Sequence, residues 1–128
     1  MPAKITVLYV EDNPENRLLV RRVLMAEGFH VIDAESAAQA IIAINTHSPD
    51  LILMDINLPE IDGYTLTTRL REDPRMNDVP IIAMTANVMK GDRERTLEAG
   101  CDGYIQKPID VDLLPEQIHR FLKEVGRE

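Results

Sequence analysis

Four large apolar residues followed by a carboxylate, Leu51 to Met54 and then Asp55, constrain the fold of this chain more than any other stretch. A short, continuous apolar run is typical of a parallel β-strand that is covered on both faces. Further runs of this kind stand at 5–10, 29–34, 80–85 and 103–106. The sequence therefore predicts five strands, and the third carries an aspartate at its carboxyl end.

Amphipathic segments separate these runs and predict helices at 14–27, 37–47, 64–71, 90–99 and 113–125. Strands that alternate with helices through short connections favour an α/β fold, in which a doubly wound parallel sheet carries helices on both faces. The carboxyl ends of all the strands then lie along one edge, where ligands bind. We therefore expect five residues to converge at that edge: Glu11, Asp12, Asp55, Thr85 and Lys107.

Residues at the helix ends and along the helix faces refine this prediction. Asn13, Ser36 and Asp112 are predicted to cap the first, second and last helices, and Ser36 and Gln39 have the spacing of a capping box. Glycines 28 and 100 are expected to end the first and fourth helices. The residues predicted to face the core are Leu19, Val20, Val23, Leu24, Ile41, Ile42, Ile44, Leu97, Ala99, Leu114, Ile118, Phe121, Leu122 and Val125.

Composition excludes several classes of protein. The net charge of −8 argues against direct binding to nucleic acid, because such binding depends on clustered Lys and Arg. No apolar run approaches the roughly 18 residues that a membrane helix requires, so we expect a cytoplasmic protein without membrane contact. The 128 residues, 45% hydrophobic and 28% charged, suit one globular domain. The single Cys101 is expected to be reduced and to take no part in chemistry.

The residues expected at the sheet edge support one kind of chemistry. Three carboxylates repel one another, and Lys107 alone cannot neutralise them, so the site calls for a further cation. Hard oxygen ligands favour Mg²⁺, and a cation beside Asp55 would let its carboxylate attack a phosphoryl group. Lys107 and the Thr85 hydroxyl would then supply donors for the charge that develops on the phosphoryl oxygens.

Four segments together resemble the receiver domain of two-component response regulators, the CheY-like fold. These are the acidic pair Glu11-Asp12, the Met-Asp-Ile-Asn-Leu-Pro-Glu-Ile-Asp-Gly segment at 54–63, Met84-Thr85-Ala86 and Lys107-Pro108. The resemblance covers essentially the whole chain, and it implies the strand order 2-1-3-4-5 and one receiver domain over residues 1–128. It also implies that Asp55 accepts a phosphoryl group from a sensor histidine kinase or a histidine phosphotransfer protein.

The resemblance further implies a role for each site residue. Mg²⁺ would be held by Glu11, Asp12, Asp55 and the backbone carbonyl of Asn57, with Glu11 standing where CheY has Asp. Lys107 would contact the phosphoryl oxygens, and the Lys107-Pro108 peptide would be cis. Thr85 would bond to the phosphoryl group and Tyr104 would swing inward, which changes a protein-binding surface. Such a protein catalyses only its own phosphorylation and dephosphorylation.

Alternative interpretations remain at the level of sequence. A haloacid-dehalogenase-like phosphatase would need a second acid two residues after Asp55, where this chain has Asn57, and a flavodoxin-like cofactor site would not place two acids after the first strand. A docking module that works without phosphorylation stays open. The segment at 84–92 resembles both hybrid histidine kinase receivers and stand-alone regulators of the DivK type. Only residues 126–128 follow the last predicted helix, so we expect an effector in trans or a longer parent, and Met1 favours a complete protein.

Overall fold

Five short strands form the centre of the protein in a computed structural model that describes residues 4–86 and 90–126, without the side chains of 90–93. Their bounds are β1 Thr6–Val10, β2 His30–Ala34, β3 Leu51–Asp55, β4 Ile81–Thr85 and β5 Gly103–Gln106. All are parallel and lie in the order β2-β1-β3-β4-β5, which confirms the predicted sheet. The predicted runs at 5–10, 29–34 and 80–85 each begin one residue before the observed strand.

Four helices connect the strands and a fifth follows β5, as predicted. Their bounds are α1 Pro14–Ala26, α2 Ala37–Thr46, α3 Gly63–Arg71, α4 Lys90–Glu98 and α5 Leu114–Glu124, with a 3₁₀ turn at Pro74–Met76. Gly28 and Gly100 follow α1 and α4 with φ angles of 100° and 103°, a conformation that glycine adopts without a steric penalty. Within the described part of the chain, no helix has the length and hydrophobicity that a membrane crossing requires.

Two hydrophobic layers cover the sheet because side chains alternate between its faces. On one face Tyr9, Leu53 and Met84 pack with residues of α1 and α5. On the other face Val10 and Met54 pack with residues of α2 and α3. With both faces covered, apolar residues occupy nearly every position of the central strands, and this explains the continuous runs in the sequence.

Several predicted core positions proved to be exposed. Val20 and Leu24 are completely buried in α1 and Ile44 is nearly so in α2, but Leu19, Ile41, Ile42, Leu97 and Val125 all lie largely at the surface. In α1 and α2 the buried stripe is therefore narrower than the apolar sequence suggested. Among the described side chains of α4, at 94–98, Thr96 is the buried one, at 1% exposed.

Two of the three predicted helix caps are confirmed and one is wrong. The Asn13 and Ser36 side chains accept hydrogen bonds from the backbone N–H groups of Asn16 and Gln39, as expected. The Gln39 side chain departs from the capping-box pattern, because it accepts from the N–H of Glu35. Asp112 was a wrong prediction: residues 111–113 form a turn, so α5 begins later and Leu113 occupies the cap position without a side-chain bond.

Arg71, at the end of α3, joins three other segments at the edge of the sheet where the strands begin, opposite their carboxyl ends. Its guanidinium donates to the backbone carbonyls of Met76, Val79 and Gly100 and pairs with the carboxylate of Asp102. The same carboxylate accepts from the N–H of Ile81 at 2.9 Å, at the start of β4. A planar, five-donor group suits such a junction, since one side chain can satisfy several carbonyls at once.

Candidate functional site at the carboxyl ends of the strands

The carboxyl ends of β1, β3, β4 and β5 bring the predicted site residues to one edge of the sheet. Glu11 and Asp12 follow β1, Asp55 ends β3, Thr85 ends β4 and Lys107 follows β5. The strand register aligns them, because Met54 pairs with Val10 and Asp55 with Met84. The convergence that the sequence predicted is therefore present in the fold.

Asp55 and Lys107 form the central contact of this site. The Lys107 ammonium lies 3.0 Å from Asp55 Oδ1. Asp55 is only 2% exposed, although β3 ends with this residue at the edge of the sheet. The backbone N–H of Asn57 also donates to Asp55 Oδ1, at 3.1 Å. The Lys107-Pro108 peptide is cis, as the resemblance implied, and the Lys107 N–H donates to the Thr85 carbonyl.

Glu11 is held by three donors that all reach the same oxygen. Oε1 accepts from the Tyr9 hydroxyl at 3.2 Å, from Asn16 Nδ2 at 3.0 Å and from Lys107 Nζ at 3.4 Å. Glu11 is 1% exposed and Tyr9 is completely buried. Sequence reasoning missed Tyr9 and Asn16, although a tyrosine inside an aliphatic strand and an asparagine in the first turn of a helix are both visible signals.

The three carboxylates carry more negative charge than the site neutralises. One oxygen each from Glu11, Asp12 and Asp55 lie within 4.8 Å of one another. Burial, together with hydrogen bonding to Asp55 and its charge, raises the pKa of Glu11 to about 7. Burial also acts to raise the pKa of Asp55, but hydrogen bonds from Glu11, Asn57 and Lys107 outweigh it and hold that pKa below its usual value. The raised pKa of Glu11 favours one shared proton on the Glu11–Asp55 pair below about pH 7, and a bound cation would compete with that proton.

This donor set fits a hard divalent cation. Mg²⁺ binds oxygen ligands and commonly takes only one or two protein carboxylates, keeping several waters. Asp12 is exposed, so a cation at this point would remain in contact with solvent. Asn57 lies two residues after Asp55 in the chain, and its backbone carbonyl is the neutral oxygen that the family resemblance implies as a metal ligand.

Thr85 and Tyr104 lie on neighbouring strands beside this cluster. Thr85 is 6% exposed and pairs in register with Gln106, while Tyr104 pairs with Ala83. Tyr104 is half-buried and packs against the core layer that contains Val10 and Met54. The rest of the motif that begins at Met84 includes residues 87–89, which lie outside the described part of the chain.

The start of α3 packs directly against the strand that carries Asp55. Asp62 caps this helix by accepting from the N–H of Thr65 at 2.8 Å, and the Gly63 N–H donates to the Ile56 carbonyl at 2.9 Å. A β-carbon at Gly63 would lie 2.5 Å from the backbone oxygen of Asp55. Only glycine permits this approach, so the loop after β3 and the helix after it form one compact unit beneath the site.

Known proteins are similar to this chain in sequence and in fold. The model of the response regulator receiver domain family matches residues 7–119. The polar-differentiation response regulator DivK of Brucella ovis is 44% identical over 117 residues, which is 91% of this chain and 95% of that protein. DivK of Brucella anthropi is 43% identical over the same length. The chain therefore spans nearly the full length of these relatives.

Solved structures agree with this relationship. The receiver domain of sensor histidine kinase PA1611 from Pseudomonas aeruginosa PAO1, which has a magnesium ion coordinated in its active site cleft, is 37% identical with a TM-score of 0.85. The similarity covers 94% of this chain and 99% of that one. Chemotaxis response regulator CheY4 of Vibrio cholerae, at 23% identity and a TM-score of 0.88 over 92% of this chain and 98% of its own, shares the fold. Sequence, fold and site geometry thus agree that this chain belongs to the response regulator receiver domain family.

Proposed function

We propose that this protein is a phosphorylation-driven switch in a two-component phosphorelay, with Asp55 as the phosphoacceptor and Mg²⁺ as the cofactor. One observation carries the proposal. Asp55 is buried at a strand end where an ammonium lies 3.0 Å away and two more carboxylates lie within 4.8 Å. A carboxylate so placed has both a cationic donor for phosphoryl oxygens and the acidic neighbours that a metal requires.

The proposed reaction transfers the phosphoryl group from a histidine of the donor protein. An oxygen of the Asp55 carboxylate forms a bond to phosphorus, the phosphorus–nitrogen bond to the donor imidazole breaks, and the electron pair leaves with that imidazole. Bound Mg²⁺ would supply charge neutralisation between the carboxylates and the phosphoryl oxygens. Lys107 would move its hydrogen bond from Asp55 Oδ1 to a phosphoryl oxygen as the aspartyl phosphate forms.

The proposed output is a changed protein-binding surface. The Thr85 hydroxyl would donate to the new phosphoryl group, and Tyr104 would turn inward from its half-buried position two strands from Asp55. The readout would lie with an effector protein in trans, and the whole chain, residues 1–128, would serve as one receiver domain in the cytoplasm. Turnover would be limited to the protein's own phosphorylation and dephosphorylation.

A shallow groove beside the site supports docking of a donor protein. It is lined by Asn16, Leu19, Val20, Lys107, Pro108 and Ile109, and it opens next to the Asp55–Lys107 contact. Leu18 and Leu19 expose 50% and 46% of their surface on the adjoining helix. A sensor histidine kinase or a histidine phosphotransfer protein could therefore bury apolar surface on α1 while it presents its phosphohistidine to Asp55.

Intact mass spectrometry after incubation with Mg²⁺ and acetyl phosphate tests this function. In that reaction the phosphorus–oxygen bond to acetate breaks and acetate leaves, so no kinase is needed. We expect one phosphoryl adduct that is stable in acid and labile in base, and that is absent both from Asp55→Asn and from samples with chelator. Asp55→Asn retains the shape of the side chain, so loss of the adduct would not reflect a change of packing.

Lys107→Ala separates phosphorylation from the switch. Because the carboxylate and the metal ligands remain, we expect the adduct to form, whereas the change in surface should be lost with the ammonium that links Asp55 to β5. The amide NMR shifts of Tyr104 and its neighbours would follow the switch. If the wild type forms no adduct and does not bind Mg²⁺, the alternative of a docking module that works without phosphorylation replaces this proposal.

A further inference from the structure

Besides its hydrogen bond with Asp55, the Glu11 carboxylate accepts three hydrogen bonds at one of its two oxygens. Tyr9, Asn16 and Lys107 all donate to Oε1. A carboxylate oxygen has only two lone pairs, so three donors saturate Oε1 and direct any metal toward Oε2. Two of these donors, Tyr9 and Asn16, have no contact with the phosphoacceptor among the described hydrogen bonds.

We propose that Tyr9 and Asn16 are positioning residues for Mg²⁺, which orient the Glu11 carboxylate so that Oε2 faces the metal. This inference rests on the proposed function and adds to it two residues outside the ligand set. Partners behind metal ligands fix the ligand's orientation, and their loss typically weakens metal binding about 10- to 100-fold. The two residues approach Glu11 from different elements, β1 and α1, so together they fix the carboxylate in two directions.

The surroundings of Tyr9 explain why its hydroxyl serves this purpose. Tyr9 is 0% exposed in the core layer that α1 and α5 cover, and a buried hydroxyl without a partner would be costly. Glu11 Oε1, two residues along the same strand face, is the acceptor that the structure gives it. The ring is held by packing on all sides, so its hydroxyl is a fixed donor with little rotational freedom to lose on metal binding.

Asn16 donates to the same carboxylate oxygen of Glu11 from a different element, α1. It lies in the first turn of α1, where its backbone N–H is bound by the Asn13 cap at 3.0 Å. That bond fixes the backbone, so the side chain is directed back across the loop to Glu11 without a further loss of backbone freedom. The loop after β1 therefore carries the ligand Glu11, and the first turn of α1 carries the group that orients it.

Titration of the amide NMR spectrum with MgCl₂ at constant ionic strength tests the proposal without using activity. The dissociation constant is taken from the amides of Asp12 and Asn57 in the wild type, Tyr9→Phe, Asn16→Ala and Tyr64→Phe. Tyr64→Phe is the matched control, because it also removes a buried tyrosine hydroxyl with a partner at 3.2 Å, but that partner is Thr96 and not one of the acids. Tyr9→Phe keeps the ring, so the core should stay intact.

We expect the dissociation constant for Mg²⁺ to rise about tenfold in Tyr9→Phe and in Asn16→Ala, and to stay within twofold of the wild type in Tyr64→Phe. At saturating Mg²⁺, the acetyl phosphate reaction of both variants should recover most of its wild-type rate, since the ligands themselves are present. A purely structural role would lower that maximal rate and leave the dissociation constant unchanged.

Two results would overturn the inference. One is a dissociation constant for Tyr9→Phe within twofold of the wild type, and the other is an equal increase in Tyr64→Phe. Failure of the proposed function itself looks different, because the wild type would then give no saturable shifts with MgCl₂.

Discussion

Replacing Gly63 by alanine tests whether the start of α3 must touch the strand that carries Asp55. The added β-carbon would lie 2.5 Å from the Asp55 backbone oxygen and 2.8 Å from the Ile56 α-carbon. Ordinary contact begins at 3.4 Å, so the two backbones must separate by about 0.9 Å. Neither obstacle is the end of a flexible side chain, and relief requires α3 or the loop after β3 to move.

The size of the effect follows from overpacking in a rigid region. Forcing extra atoms into a packed interior costs about 1–3 kcal/mol, and two backbone obstacles favour the upper part of that range. Alanine recovers up to about 1 kcal/mol relative to glycine, because the unfolded chain loses less entropy. We therefore expect Gly63→Ala to lower the free energy of unfolding by about 2 kcal/mol, which is a large fraction of the stability of a domain of this size.

Gly103→Ala is the matched control. Its β-carbon would lie 2.6 Å from Cε1 of Phe121, a similar overlap, but the obstacle is a half-buried ring that can turn aside. We expect a cost of less than about 1 kcal/mol there. Urea unfolding followed by far-UV circular dichroism measures both values, and with a slope of about 2 kcal/mol per molar the Gly63→Ala midpoint should fall by about 1 M. A Gly63→Ala midpoint equal to that of the wild type, or a larger loss in Gly103→Ala, would refute the reasoning.

Three further predictions concern other parts of the chain. Arg71→Lys keeps the charge but loses the planar guanidinium that bonds to Met76, Val79, Gly100 and Asp102. We expect urea unfolding to show that the free energy of unfolding falls by about 2 kcal/mol. An unchanged midpoint would mean that the junction adds nothing to stability. The Glu11 pKa of about 7 in the metal-free protein lies above the ordinary value of 4.5, so this group's contribution to stability is present below about pH 4.5 and is lost as the pH rises through 7. Because Mg²⁺ competes with that proton, the thermal stabilisation produced by MgCl₂ should be greater at pH 8 than at pH 6, and the opposite order would contradict the assignment. Burial raises the pKa of the Cys101 thiol to about 11, so a disulfide reagent at pH 8 should label it only after urea is added, and fast labelling of the native protein would show that the thiol is accessible.

The sheet and the acidic cluster were predictable because they depend on short-range patterns. Apolar runs identify strands that are covered on both faces, and Asp55 stands at the end of the clearest run. Parallel strands place their carboxyl ends together, so Glu11 and Lys107 could be assigned to one site although 96 positions separate them. The strand order came from the resemblance, since the sequence pattern alone does not determine which strands are neighbours.

The details that the sequence did not predict depend on the direction in which individual side chains point. Whether Leu19 or Val20 faces the core depends on how α1 is rotated about its axis by a few tens of degrees, and the apolar pattern of that helix is too broad to determine this rotation. An aspartate before the last apolar stripe predicts a cap at Asp112, but the structure has a turn at 111–113, and Asp110 accepts from the N–H of Asp112 and of Leu113. The hydrogen bonds of Tyr9, Asn16 and Arg71 likewise require knowledge of where each donor points.

The Arg71 junction ties the carboxyl end of α4 to the end of α3. Its guanidinium donates to the Gly100 carbonyl at 2.9 Å, directly after the carboxyl end of α4. A helix of nine residues is about 13 Å long. A rod held at one end would move as a lever, so a tilt of about 10° would leave the Gly100 end in place and carry the opposite end, next to the edge that carries Asp55, through about 2 Å. If α4 tilts in the proposed switch, we therefore expect the arginine at the base of the fold to be the fulcrum and the displacement to be largest beside the site.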